Sequence, residues 1–258
     1  MTELNLLLFL ILGHLICDFY LQPKTWVDNR NTLHHKSLQL AYHAVIHGLV
    51  TTSILLFLTD HAPLISFSLG IFVLLTHYIV DLTKSYCPNT VIFLVLDQIA
   101  HLIILLVVWF LLTGGFSEYK ELLTLDKLQT KHVAILIAYL LVLKPTSIII
   151  TMTLKPWSEG IRGGNEANPE SLDTGDFAGQ RIGYLERILI LTFIILNQFS
   201  AIGFLLAAKS IFRFGDLTKD EDKKLTEYVM LGTLTSFTIT IIIGLTVATI
   251  TANLPMGK

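Results

Sequence analysis

Long apolar runs separated by short polar breaks dominate the chain. Runs of about 18 residues or more mark bilayer-spanning helices, and seven are predicted, at residues 4–21, 38–59, 63–85, 91–113, 132–154, 184–212 and 226–251. The expected fold is all-α, a polytopic transmembrane helix bundle. The breaks Thr59 to Pro63 and Ser85 to Thr90 are so short that the helices on either side run antiparallel and adjacent. The break after the first run, LQPKTWVDNRNTLHHK, is longer and basic and reads as a loop. Lys144-Pro145 falls in the middle of the fifth run, where proline removes a backbone donor and lysine is costly in lipid, which predicts a kinked, re-entrant or cavity-facing segment. The sixth run is longer than a bilayer needs, and its end at Lys209 and Arg213 is expected among headgroups.

This pattern divides the chain into three parts. Residues 1–113 form a four-helix core, 114–131 a mixed-charge connecting surface segment, and 132–258 the C-terminal helices. Within the last part, 155–183 is rich in Gly, Pro, Asn, Glu and Asp and reads as a long flexible loop, able to cover a site or to receive a soluble partner. Residues 214–225 read as a solvated turn. Glu186-Arg187 is read as an ion pair, while Asn197-Gln198 and the small and hydroxyl residues from Gly232 to Gly244 are read as helix-pairing contacts.

Composition agrees with the hydropathy. Of 258 residues, 53% are hydrophobic and 15% charged, with a mean hydropathy of +0.66, too apolar for an ordinary soluble domain. The net charge of −2, with Lys and Arg gathered in the loops, excludes a nucleic-acid footprint. Cys17 and Cys87 lack metal-site spacing and read as packing residues. The N-terminus has no basic region, so the first run is read as a retained helix rather than a signal peptide. Lys24, Arg30 and Lys36 follow that run, which locally places the N-terminus outside.

Polar residues interrupt the first four runs in one recurring way: His14 with Asp18, His43 with His47, His77 with Asp81, and Asp97 with His101. Residues four apart lie on one helix face, so each pair aims two metal-ligand side chains together. With alternating helix directions all four pairs fall at one depth, about 7 to 12 Å beneath the first and third breaks by helical rise. Helices one and two also echo helices three and four: GHLICDF, Lys24 and HAVIH against THYIVDL, Lys84 and DQIAH. An ionised Asp at mid-membrane costs about 3 kcal/mol, and three cost on the order of 8 to 10. An interhelical hydrogen bond returns only about 0.6 kcal/mol, whereas a bound divalent ion contributes about 10 or more.

The expected metal ligands are therefore His14, Asp18, His43, His47, His77, Asp81, Asp97 and His101, holding one or two divalent ions. Zinc is the first choice, with iron or manganese as alternatives. Asp18, Asp81 and Asp97 are also the candidate catalytic acid–bases. Gln22, Lys24, Lys36, Lys84 and Gln98 flank the pairs as candidate substrate contacts, and Lys144 is a further candidate anion contact. His34-His35-Lys36 reads first as a solvated interfacial turn.

The run GHLICDFYLQPK, HAVIH, HYIVDLTK and LDQIAH resembles the N-terminal half of a family of bacterial integral-membrane proteins classed as a domain of unknown function, over about residues 10–105. The later LKP, IGYLERILI and AKSIFRF look like the C-terminal extension that some members carry. The resemblance implies a multi-pass protein of the bacterial inner membrane and supplies no activity. From the residues, the leading expectation is a membrane-embedded, metal-dependent hydrolase acting on a lipid-linked or amphiphilic substrate near one bilayer face. The rivals are a di-iron membrane oxidoreductase, a metal-ion or proton transporter, and a metal- or pH-responsive signalling protein. Membrane lipid is the expected partner, nucleic acid is not, and homo-oligomerisation stays open.

Overall fold

A computed structural model describes residues 3–113, 127–162, 169–214 and 222–252. Every element in them is helical. Six stretches are long and apolar enough to cross a bilayer, the make-up of a multi-pass membrane protein: Leu4–Leu21, Leu38–Leu58, Pro63–Ser85, Val91–Thr113, Thr130–Ser158 and Thr226–Thr251. The chain separates into two compact units, residues 1–137 with 254–258, and residues 138–253.

In the first unit, α1 (Glu3–Ile16) runs into a π-helical turn at Cys17–Leu21. The break read as a loop is instead α2 (Lys24–Leu33), begun after Pro23, followed by a 3-10 turn at His34–Lys36. Pro23 marks its start, and His34, with a φ of 52° and its N–H bonded to the Arg30 carbonyl, ends it. Ser37 then caps α3 (Leu38–Leu58), its Oγ accepting from the Leu40 N–H at 3.2 Å. α4 (Pro63–Ser85) opens with proline in its first turn, where no backbone donor is lost. α5 is Val91–Thr113. α1 packs on α3 and α5, α3 on α4, and α4 on α5, closing a ring of four helices, with α2 laid against α3 and α4. Leu6, Leu10, Leu55, Val73, Leu105, Val108 and Trp109 fill one end of the ring. The connecting segment 114–131 lies outside the described residues as far as Ser117 and on to Asp126, and α6 begins at Lys127.

Proline 145 breaks the fifth predicted run: α6 (Lys127–Val142) ends and α7 (Lys144–Arg162) begins across Leu143. The Leu141 carbonyl, which loses its partner at Pro145, accepts from Thr146 Oγ1 at 2.7 Å. The sixth predicted run is likewise two helices, α8 (Pro169–Ile195) and α9 (Phe199–Phe214), parted at Asn197, whose φ of 57° ends α8. Asn197-Gln198 is thus a chain break, not a pairing contact. The long loop read at 155–183 is helical through Arg162 and again from Pro169, with 163–168 outside the described residues. The turn read at 214–225 lies outside them over 215–221, and α10 starts at Asp222 and runs to Ala252.

Glu186 and Arg187 do not pair with each other. Lys209 Nζ donates to Glu186 Oε2 at 2.6 Å. The buried Arg187 donates to the Val142 carbonyl at 2.5 Å, Ser147 Oγ at 2.7 Å and Ser236 Oγ at 3.2 Å, tying the α6–α7 break to α8 and α10. Arg187→Ala is expected to lower unfolding stability by about 2 to 4 kcal/mol, because it strips a buried carbonyl of a charged donor and leaves a void. Denaturant unfolding in detergent reads this directly, and a variant as stable as the parent would contradict the assignment.

Candidate metal centre

The four pairs of ligand-type residues meet at the end of the first unit away from its apolar filling. α1 and α4 run toward that end and carry their pairs late, at His14 with Asp18 and His77 with Asp81. α3 and α5 run from it and carry theirs early, at His43 with His47 and Asp97 with His101. All five imidazoles are buried. His77 stacks between His47 and His101, with ring centroids 3.6 and 4.1 Å apart and planes within 18° and 21° of parallel. His14 completes the group, 5.0 Å from His101 and 5.2 Å from His47.

Asp18 is the hub. It sits in the π turn, a departure from α-helical winding that recurs at functional sites. Its Oδ1 lies 2.9 Å from His47 Nε2, 3.2 Å from His43 Nε2 and 3.6 Å from His77 Nε2, and its Oδ2 lies 3.5 Å from His14 Nε2. Gln98 Nε2 donates to Asp18 Oδ2 at 2.8 Å and to Asp97 Oδ2 at 3.3 Å, while its Oε1 is 3.4 Å from His14 Nε2. Asp81 Oδ2 is 3.8 Å from both His43 and His77 Nε2, and Asp97 Oδ1 is 3.5 Å from His101 Nε2.

Two cations neutralise the outer carboxylates. Lys84 Nζ pairs with Asp97 Oδ2. Arg30 NH1, on α2, pairs with Asp81 Oδ1 at 2.7 Å, both side chains being about 5% exposed. Arg30 is the member that the hydropathy pattern misses, because its segment reads as a solvated loop. The available signal was charge balance: three carboxylates within spans call for buried counter-charge, and Arg30 was within reach in the adjoining break.

The other sequence candidates divide cleanly. Lys84 and Gln98 belong to the cluster. Lys24 and Lys36 are exposed, Gln22 is half-buried behind the π turn, and among the described residues none of the three bonds to the cluster. Lys144 opens α7 in the second unit. His34 and His35 turn away from the ligands toward the end of α4. His34 Nδ1 is 2.9 Å from Ser85 Oγ and its ring stacks on Tyr86 at 4.1 Å, while His35 Nδ1 is 3.4 Å from the Tyr86 hydroxyl.

The donor set suits a divalent ion. One ligand atom from each of His14, Asp18, His47 and His77 lies within 4.8 Å of the others, and the same holds for His43, His77 and Asp81, and for Asp18, Asp97 and His101. The Nε2 atoms of His77 and His101, with Asp81 Oδ2 and Asp97 Oδ1, are buried without a hydrogen-bond partner. Buried polar atoms are nearly always satisfied, and an ion held by these groups could satisfy the orphans. Imidazole with carboxylate is chemistry for zinc, manganese or iron.

Residues 6–129 match the family described as Protein of unknown function (DUF3307), a stretch that contains every member of this cluster. No curated protein and no solved structure matches the chain.

Proposed function

We propose that this chain is a membrane-embedded, metal-dependent hydrolase of the bacterial inner membrane, acting on a lipid-linked or amphiphilic substrate near one bilayer face. The observation that carries the reading is the convergence of five imidazoles and three carboxylates in one buried cluster, several of whose ligand atoms make no hydrogen bond. His14, His47 and His77 with Asp18 would hold one ion, and either His101 and Asp97 with Asp18 or His43 and His77 with Asp81 would hold a second. A divalent ion held there would supply a hydroxide nucleophile from water near neutral pH. Gln98 orients Asp18 and His14 together, as polar neighbours of metal ligands commonly do. Whichever of Asp18, Asp81 and Asp97 is not engaged with an ion would take and return the proton. The membrane location of the cluster favours a substrate that partitions into the bilayer.

Through-passage of ions fits less well. One turn past His101 and two turns past His47, beyond the buried Thr51, come Leu105, Val108, Trp109 and Leu55, packed with Leu6, Leu10 and Val73 into an apolar filling. Ligands that close off at one end suit chemistry on a bound molecule better than transit.

The test is the metal content of protein purified in detergent without added metal, compared with a variant carrying His43→Ala and His47→Ala. Near-stoichiometric zinc or manganese in the parent and its loss in a folded variant are the expected results. Tightly bound iron would favour the oxidoreductase reading instead. A folded parent that binds no divalent ion, even after incubation with zinc or manganese, would overturn the hydrolase reading.

A further inference from the structure

We propose that Arg30 and Lys84 are the anion-holding pair of this centre, and that they grip a phosphate group of the substrate once metal has drawn Asp81 and Asp97 inward. The proposal rests on the metal-centre reading and adds the class of substrate. The first argument is charge. With neutral imidazoles, three carboxylates against Arg30 and Lys84 leave the cluster one charge negative. With the hydroxide counted, one divalent ion leaves it neutral and two leave it two charges positive, in a site that is almost fully buried. A buried excess of positive charge needs an anion, and the more ions are held the more highly charged that anion must be.

The second argument is position. Asp81 Oδ1 and Asp97 Oδ1 flank the same His101 Nε2, at 3.8 and 3.5 Å. Asp81 Oδ2 and Asp97 Oδ1 are also buried without hydrogen-bond partners, so each carboxylate carries a cation on one side and an unmet need on the other. Ion binding meets that need and weakens the hold of each carboxylate on its cation. Each cation is then freed beside the ligands, where Arg can offer parallel N–H donors to an oxyanion and Lys a point charge.

The third argument is access. The Lys84 side chain is 21% exposed while that of Asp97 is 2% exposed, so the lysine runs from the outer surface to the interior of the cluster. α2 brings Arg30 to the same end of the ring, and exposed Lys24 and Lys36 stand at either side of it. A phosphate entering from that end meets the rim lysines first, then Lys84, then Arg30.

The experiment uses the full chain in detergent, metal-loaded and chelator-stripped, with metal content measured on every sample. Inorganic phosphate and dihexanoyl phosphatidic acid are titrated separately by calorimetry, the first reporting free phosphate recognition and the second a lipid headgroup. Metal-loaded parent is expected to bind at least one of them saturably, and stripped protein to bind it at least about tenfold more weakly. Arg30→Gln and Lys84→Gln are each expected to keep parental metal content and to weaken binding about tenfold or more, with Arg30→Lys recovering part of the loss. Should Arg30→Gln fail to fold, Lys84→Gln and Arg30→Lys carry the test. Parent without metal sinks the hydrolase reading itself. Metal-loaded parent that binds neither probe, or variants that bind them as tightly as the parent, sinks only the anion-holding role.

Discussion

Removing metal with a chelator is expected to cost the protein about 4 kcal/mol or more of unfolding stability, lowering its midpoint by about 10 °C in detergent, with recovery on adding stoichiometric zinc or manganese. The size follows from linkage: a ligand present at a thousand times its dissociation constant, and bound only by the folded state, stabilises by about 4 kcal/mol. For a chain of this length each kcal/mol moves the midpoint by about 2 to 4 °C. The sign follows from the cluster. Unloaded, it keeps Asp81 Oδ2, Asp97 Oδ1 and the Nε2 atoms of His77 and His101 buried without hydrogen-bond partners, and an ion would satisfy them. Hydrolysis of an amphiphilic phosphoester should vanish and return in step with stability. A melting curve that chelation leaves unmoved, in protein shown beforehand to hold metal, would mean that the ions sit at some other place.

Gly70→Ala should be the most damaging single-methyl change in the first unit, destabilising it by about 3 kcal/mol and lowering metal content with it. α3 and α4 cross where Gly48 and Gly70 face each other. A methyl on Gly70 would lie 1.8 Å from Thr52 Oγ1 and 2.9 Å from the Gly48 carbonyl oxygen, and one on Gly48 would lie 2.9 Å from Leu74 Cβ. The clash with the carbonyl involves backbone and can be relieved only by parting the helices. His47 adjoins Gly48 and His77 lies two turns beyond Gly70, so parting them displaces ligands from two sides of the centre. Adding Thr52→Ala to Gly70→Ala removes the closer clash and should restore part of the loss. Denaturant unfolding alongside elemental analysis measures both effects, and a Gly70→Ala protein as stable and as metal-rich as the parent would refute the close crossing.

How much of this could be read in advance varies with the physics involved. The four His/Asp pairs were legible because i to i+4 spacing on apolar helices has few uses, and agreement in depth follows from counting residues. The crossing at Gly48 and Gly70 was less visible: GlyXXXThr and SerXXXGly are small-residue spacings suited to close helix contact, but in a run of Leu, Ile and Phe they do not announce their partner. α2 was hidden because a ten-residue stretch with seven polar residues after a span looks solvated, and only the burial of Arg30 against Asp81 shows what the helix is for. The two broken runs had different fates. Pro145 announced a break near the position where α6 gives way to α7. Asn197, by contrast, ends α8 through a positive φ that hydropathy does not register.

The order of charges along the chain bears on how such a protein is made. Arg30 precedes Asp81 and Lys84 precedes Asp97, so during synthesis each acidic side chain reaches the membrane after the cation it pairs with. A neutralised carboxylate enters a bilayer at far lower free energy than a bare one. Asp18 is different: it comes first, and its neighbours His43, His47, His77 and Gln98 arrive only with the three later helices. The first helix must therefore wait with its carboxylate near the interface or protonated, and the fourth helix to insert completes the surroundings of the first. Assembly of the nascent bundle and creation of the ion-binding centre are on this account one and the same event.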